Sequence, residues 1–262
     1  MNVLTVPVTG STNTDLLALA RDGAPEATWL RAERQTGGKG RQGRSWSSPP
    51  SNLYASTLVR LGPGNPPAPT LALTAAVALH ETVSTFHHHP RKSGDPAYLV
   101  AAGKKRDPHF REDEDERAVR LKWPNDLLAG SSEQGWAKLA GILLERASDA
   151  VVIGFGVNLA HHPTDLDRPA TNLAALTGAA PDPTIFLETL ADSFARQLGD
   201  WRSLGLAPIR TRWLSVAHPL GTALSTSVGD GLFDGLDETG ALRLRLADGA
   251  TRVIHAGDVF LI

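Results

Sequence analysis

Residues 35–46 read Gln35-Thr36-Gly37-Gly38-Lys39-Gly40-Arg41-Gln42-Gly43-Arg44-Ser45-Trp46. Four glycines, Gly37, Gly38, Gly40 and Gly43, alternate with three cations, Lys39, Arg41 and Arg44. Glycine lets a backbone reach positive φ and come close to a ligand. Cations at this spacing give a loop a dense positive field, which suits a ligand carrying phosphates or carboxylates better than a packed core. Trp46 closes the run with a large apolar ring. Taken alone, the stretch also reads as a plain solvated loop, because short glycine-basic runs recur without function. Its neighbours have to decide.

Working outward, Thr28 to Glu33 is strand-like and leads straight into this loop, and Leu53 to Leu61 alternates as a strand after it. Upstream, Val3 to Val8 is a further strand. Ser11-Thr12-Asn13 then precede Leu16, Leu17, Leu19 and Ala20. Ser11 or Thr12 is suited to cap that helix, and Gly23 to end it. The free N–H groups of its first turn place partial positive charge beside the strand end. Downstream, Thr70 to Phe86 is Ala-rich and apolar and predicts a buried helix, ending near His87-His88-His89-Pro90. The triple histidine follows a helix end and precedes a proline, a setting that argues against a metal site.

Residues 91–118 differ in texture. They carry Lys104-Lys105-Arg106 and then Glu112-Asp113-Glu114-Asp115-Glu116, with few residues able to enter a core. The stretch reads as a long surface insertion, partly disordered, with no catalytic role. Order returns with Val119 to Trp123, a strand ending in Lys122-Trp123-Pro124-Asn125-Asp126. Pro124 ends it and leaves Asn125 and Asp126 at its exit. Residues 130–135 read as a polar loop. Trp136 to Glu145 and Ala150 to Leu159 are apolar strands forming a hairpin. Lys138 stands out as a charge on an otherwise apolar strand. The second strand ends Gly154-Phe155-Gly156-Val157-Asn158, whose glycines let something lie against the backbone. Pro183 to Trp201 and Pro208 to Val216 are helical, and after Pro219 come short strands split by Gly-Asp, Glu-Thr-Gly and Asp-Gly turns. This predicts a small β-barrel of about 45 residues and a domain boundary near residue 217, giving domains 1–217 and 218–262.

Composition sets the outer limits. The chain has 262 residues, enough for one large domain plus one small. Hydrophobic residues make up 41% and charged residues 21%, as in an ordinary globule. The absence of cysteine removes disulfides, thiolate metal sites and cysteine nucleophiles. With a formal charge of −2, a nucleic-acid partner would need a local basic patch. Met1 to Thr9 lacks the basic n-region of a signal peptide. No run approaches the roughly 20 apolar residues needed to span a bilayer. The expectation is a cytoplasmic protein with no membrane partner.

Ser11-Thr12-Asn13, the 35–46 loop, Lys122 to Asp126 with Lys138, and Asn158 all fall at strand or helix ends. In this order, ahead of a small β-barrel, they resemble the biotin protein ligase family (biotin–[acetyl-CoA-carboxylase] ligases). Its pattern is Ser-Thr-Asn, Gln-x-x-Gly-Arg-Gly-Arg-x-Gly-Arg-x-Trp, Lys-Trp-Pro-Asn-Asp, Lys-Leu-x-Gly-Ile-Leu and Gly-x-Gly-x-Asn. This chain supplies Gln35 with Gly38 to Trp46, Lys122 to Asp126, Lys138-Leu139-Ala140-Gly141-Ile142-Leu143 and Gly154 to Asn158. The match covers nearly everything except 91–118. Lys39 departs from the pattern's usual Arg, keeping the charge but losing the bidentate fork.

The resemblance implies an α+β (mixed α/β) catalytic domain like that of class II synthetases. Its sheet should be largely antiparallel with helices on one face, followed by an SH3-like barrel. It implies that biotin's carboxylate is joined to the α-phosphate of MgATP, giving biotinyl-5′-AMP. Biotin is then passed to one lysine of a carboxylase's biotin carboxyl carrier domain. Two anions must meet, and unit charges about 4 Å apart interact by roughly 4 kcal/mol at an effective dielectric of 20. Lys138 is the expected catalytic group, bridging the biotin carboxylate and the α-phosphate, with Arg41 assisting from the loop. Ser11, Thr12, Asn13, Gln35, Lys39, Gly40, Arg41 and Lys138 are expected at biotin. Arg41, Arg44, Trp46, Lys122, Asn125 and Asn158 are expected at ATP or the adenylate. Asp126 is expected at Mg²⁺, directly or through water. The 37–46 loop should fold over the adenylate as a lid.

The catalytic pattern begins within the first dozen residues, leaving no room for a winged helix, so DNA is not expected as a partner. Some members of the family pair through sheet edges, so a homodimer stays open. A lipoate or octanoate ligase would share the fold, but its Arg-Arg…Gly-Gly-Gly loop with a following His is absent. A non-catalytic RNA-binding or adaptor module would leave Ser11 to Asn13 and Lys122 to Asp126 without a purpose.

Overall fold

The computed structural model describes residues 2–87, 118–165 and 168–262. The expected insertion at 91–118 therefore lies outside the described residues except for Ala118, as do His88 and His89 of the histidine run.

A seven-stranded sheet forms the body of the molecule. Its strands are β1 (Asn2–Thr9), β2 (Thr28–Gln35), β3 (Leu53–Arg60), β4 (Ala118–Lys122), β5 (Asp126–Ser131), β6 (Gly135–Ala147) and β7 (Ala150–Val157). They lie in the order β1-β2-β3-β7-β6-β5-β4. Only β1 and β2 run parallel, because the helix α1 (Thr12–Arg21) carries the chain between them; the other pairs are antiparallel. Strand β3, next to the central β7, is buried almost throughout, so it has no solvent face.

The period-2 alternation of β3 and β7 sorts their side chains onto two faces. Leu53, Ala55 and Val59 with Val151, Ile153, Phe155 and Val157 belong to the main core. Helices α2 (Leu71–His87), α4 (Pro183–Leu204) and α5 (Leu206–Ser215) cover that face. Its centre is aromatic: Trp29 stacks on Phe155 at 5.7 Å, and Phe194 meets both edge-on at 6.1 Å. The opposite face is covered by α1 alone, through Leu16 and Ala20 on Leu30, Leu58, Ala150 and Val152. Helices on a single face were expected. The difference arises because α1 is a parallel crossover, and it covers only part of its face. The rest stays open as a cavity.

A second, five-stranded antiparallel sheet follows. It holds β8 (Ala223–Thr226), β9 (Gly229–Leu236), β10 (Leu242–Arg245), β11 (Thr251–Ile254) and β12 (Val259–Leu261), in the order β11-β10-β9-β8-β12. It is the small β-unit anticipated from the turn spacing, and the SH3-like one that the resemblance implied. Leu242, Leu244 and Phe233 join the main core, and Trp123 Nε1 donates to Gly240 O at 3.1 Å, so the two sheets share apolar contacts. Three elements escaped the sequence pattern: β5, the short helix α3 (Leu173–Thr177) and β12. The first starts at Asp126, in what read as a strand exit, and runs into the first two residues of what read as a polar loop. Gly130 and Ser131 look like a turn locally, but pairing on both sides draws them into the sheet. At three residues, β12 shows no alternation; β8 recruits it.

Candidate active site

The open part of the α1 face is a cavity of about 850 Å³. Its walls come from the start of α1, the 39–46 loop, β5, β6, β7, residues 168–169 and the end of β12. Strand β6 runs along it and serves as a ruler.

At one end lie the uncharged hydrogen-bonding groups. Ser11 takes the N-cap position of α1, but its side chain makes no cap hydrogen bond. The cap is supplied from outside: Thr12 N donates to Gln35 Oε1 at 2.9 Å, and Thr12 Oγ1 to the same oxygen at 3.1 Å. The expected self-capping by Ser11 or Thr12 is therefore replaced by Gln35, and the Ser11 hydroxyl is left at the cavity wall. Asn13 Nδ2 donates to Glu145 Oε2 at 2.8 Å and Leu143 O at 3.3 Å. Buried Ser56 Oγ sits 2.6 Å from Asn13 Oδ1 and 2.7 Å from Thr12 Oγ1. Gly154 has no side chain because the Asn13 amide occupies that space.

At the other end is a charged triad. Lys138 Nζ lies 2.6 Å from Asp126 Oδ1, and Lys122 Nζ lies 3.1 Å from Asp126 Oδ2. Lys122 also donates to Val259 O at 2.9 Å. Burial pushes the Asp126 carboxyl up, but the two ammonium groups and their hydrogen bonds more than offset it and hold its pKa below the ordinary value. Burial lowers the Lys122 pKa, and Asp126 offsets this only in part.

Lys138 reaches this place through a β-bulge. Leu127 pairs with Ala140 and Leu128 with Lys138, so Leu139 is an extra residue on β6. A regular strand would put Lys138 on the same face as Ala140 and Ile142, in the core. The bulge shifts the alternation and aims Lys138 into the cavity beside Gly141. Its backbone is pinned beyond the end of β7: Lys138 N donates to Pro169 O at 2.9 Å, and Thr171 N to Lys138 O at 3.0 Å.

The glycine-basic loop folds over the middle as a small hairpin. Gly40 N donates to Arg44 O at 2.7 Å and Trp46 N to Gly38 O at 2.9 Å. Trp46 lies on the glycine floor of β6 and β7. A Cβ on Gly156 would fall 2.6 Å from the indole, and Lys138 Nζ is 5.4 Å from the ring centroid. Arg41 donates to Asn125 Oδ1 at 3.3 Å and to Gly257 O at 3.2 Å, and Arg44 pairs with Asp258. Lys39 is exposed, with Nζ 3.1 Å from Thr14 Oγ1.

The structure thus gathers Ser11, Thr12, Asn13, Gln35, Lys39, Gly40, Arg41, Arg44, Trp46, Lys122, Asn125, Asp126 and Lys138 around one cavity. Asn158 is the exception. It is buried, and its amide donates to Thr171 O at 3.0 Å, behind Lys138 rather than in the cavity wall. As placed it braces the segment that pins Lys138. Sequence reasoning missed Ser56, Glu145, Arg168 and Asp258. Ser56 left a signal, a hydroxyl in a strand otherwise built for a core. The others gave none, because their partners lie far away in the chain.

Residues 5–158 match the model of the biotin/lipoate A/B protein ligase family, and residues 226–262 that of the biotin protein ligase C terminal domain. The chain is 35% identical to a biotin–[acetyl-CoA-carboxylase] ligase of Paracoccus denitrificans, over 96% of this chain and 97% of the relative. It is 33% identical to one of Mycobacterium tuberculosis, over 97% and 86%. A solved biotin protein ligase of Aquifex aeolicus, in complex with biotin and ATP, superposes with a TM-score of 0.77 at 22% identity, covering 100% of this chain and 99% of that one. At that identity the superposition speaks for the fold.

Proposed function

We propose, from the premise that this chain belongs to the biotin/lipoate A/B protein ligase family, a division of labour along the cavity for the reaction it performs. The chain activates biotin with ATP and transfers it to a biotin-dependent carboxylase. In the first step a biotin carboxylate oxygen attacks the α-phosphorus. The bond from that phosphorus to the oxygen bridging to the β-phosphate breaks, and its electron pair leaves on pyrophosphate. In the second, a lysine amine of the carrier domain attacks the acyl carbon, loses a proton and displaces AMP.

Biotin's uncharged ureido end goes to Ser11, Thr12, Asn13 and Gln35, which carry no net charge; Thr12, Asn13 and Gln35 are already held by hydrogen bonds. Its carboxylate points along β6 to Lys138. That ammonium neutralises the approach of the two anions and stabilises the charge that builds on the α-phosphate. Asp126 holds Lys138 in place. Arg41 closes the flap over the junction, and Trp46 excludes water beneath it. Arg44, Lys122 and Asn125 are proposed on the nucleotide side, and Lys39 at the mouth on the biotin side.

The nucleotide enters as its magnesium complex. Each Asp126 oxygen already accepts from a lysine, and no group of three metal-ligating side chains occurs among the described residues. Asp126 therefore suits contact with the ion through water, the ion keeping most of its ligands from phosphate and solvent.

The carrying observation is Lys138 itself, turned out of the core by a bulge and set between an uncharged polar pocket and a cationic one. The test is direct. Purified chain, labelled biotin, MgATP and a carboxylase carrier domain should give label on the carrier, and omission of ATP should abolish it. Label from lipoate but not from biotin would replace this reading with the lipoate one.

A further inference from the structure

We propose that Arg168 is a further nucleotide-binding residue, meeting the β- and γ-phosphates of ATP and the pyrophosphate they become. The proposal rests on the ligase reading above and extends it to a residue outside every motif quoted from the sequence.

The first observation is position. Asn13 marks the uncharged end of the cavity at Leu143, and Lys138 lies five residues earlier on β6. That is roughly 15 Å along a strand. Pro169 O accepts from Lys138 N, so Arg168 joins the cavity at the Lys138 end, away from the ureido pocket. With the carboxylate and α-phosphate meeting at Lys138, the groups that extend past it are the remaining phosphates.

The second is an uncommitted charge. Six cations face the cavity against two carboxylates, Asp126 and Asp258. Asp126 serves Lys122 and Lys138, and Asp258 serves Arg44. Among the described residues no carboxylate pairs with exposed Arg168. Its guanidinium instead lies 3.6 Å over the Phe260 ring. A guanidinium stacked on a ring keeps its N–H fork in its own plane, free for a second partner, and that fork matches phosphate oxygens two at a time. Phe260 belongs to β12, so the cation is presented by the smaller sheet from across the cavity mouth.

Biotin-dependent exchange between ATP and labelled pyrophosphate tests this. Arg168→Ala should raise the KM for both MgATP and pyrophosphate about tenfold, as expected for loss of a charge-assisted hydrogen-bond pair. The KM for biotin should stay within about twofold, and retention of preformed biotinyl-AMP should not change. Arg168→Lys should restore part of the loss, and Phe260→Ala should raise the same two constants by less, since it frees the guanidinium without removing it. Unchanged constants in Arg168→Ala would overturn the proposal. So would a raised KM for ATP with that for pyrophosphate unaltered, which would put Arg168 on the nucleoside. A wild-type chain with no biotin-dependent exchange would sink the ligase reading and this proposal together; an active wild type with an indistinguishable variant sinks only this one.

Discussion

Lys138 and Lys122 share one carboxylate, and the consequences are measurable. Lys138→Ala should lower the rate of adenylate formation at least about a hundredfold, the scale of losing one charge-stabilising group. Single-turnover pyrophosphate release reads this out, and near-normal release would remove Lys138 from the chemistry. Asp126→Asn leaves two ammonium groups without their partner, and breaking such a buried pair costs about 3 kcal/mol. The sign of its pH dependence follows from the depressed Asp126 pKa. The ionised carboxylate contributes stability above the ordinary value of 3.8, and that contribution is lost as pH falls through the lowered pKa. The stability gap between wild type and Asp126→Asn should therefore be wide at pH 7 and close below about pH 4. A gap independent of pH would mean that the amide disturbs packing and not charge. At this scale the sequence was legible where a residue contradicted its surroundings. Lys138 on an apolar strand did so; Ser56 in a buried one did too, but its signal went unread. Glu145, Arg168 and Asp258 contradicted nothing nearby, because a charge in a loop or at a strand end is ordinary until its partner is known.

The bulge on β6, the glycine floor and the flap act as one unit. Trp46 lies flat on the floor only because Gly156 has no side chain. Gly156→Ala would set a methyl about 2.6 Å from the indole and lift it. Biotinyl-AMP should then escape several-fold faster while the melting temperature moves by only a few degrees, because Trp46 is half-exposed and outside the main core. Rapid filtration of the preformed adenylate measures the escape. Retention equal to wild type would show that the flap seals without the indole. The glycines of β7 were readable as places of close approach, but not what would approach. The flap was readable as glycine and charge, while its closure as a hairpin depends on hydrogen bonds such as Gly40 N to Arg44 O. The bulge was invisible. A sequence period of 2 puts Lys138 in the core, and only the pairing of Leu127 and Leu128 across β6 reveals the added residue.

The two sheets meet through apolar contacts and through the cationic cavity. Phe233, Leu242 and Leu244 join the same core as Trp213 and Ile209, and Trp123 donates across to Gly240. With the boundary that we propose near residue 217, calorimetry should therefore show one cooperative transition, and removal of 218–262 should lower it rather than leave the larger part untouched. Two separated transitions would show the units to be energetically independent.

Local sequence determined the elements that carry a repeating pattern, the long strands and the helices α1, α2 and α4, and it determined which residue types would do the chemistry. Periodicity and turn residues act within a few positions, so such features can be read without the fold. Tertiary structure decided the open half of the α1 face, the re-aiming of Lys138, the docking of β12 and the meeting of Arg44 with Asp258. Each needs groups distant in the chain to be brought together, and that is settled by sheet register and core packing, which no local pattern records.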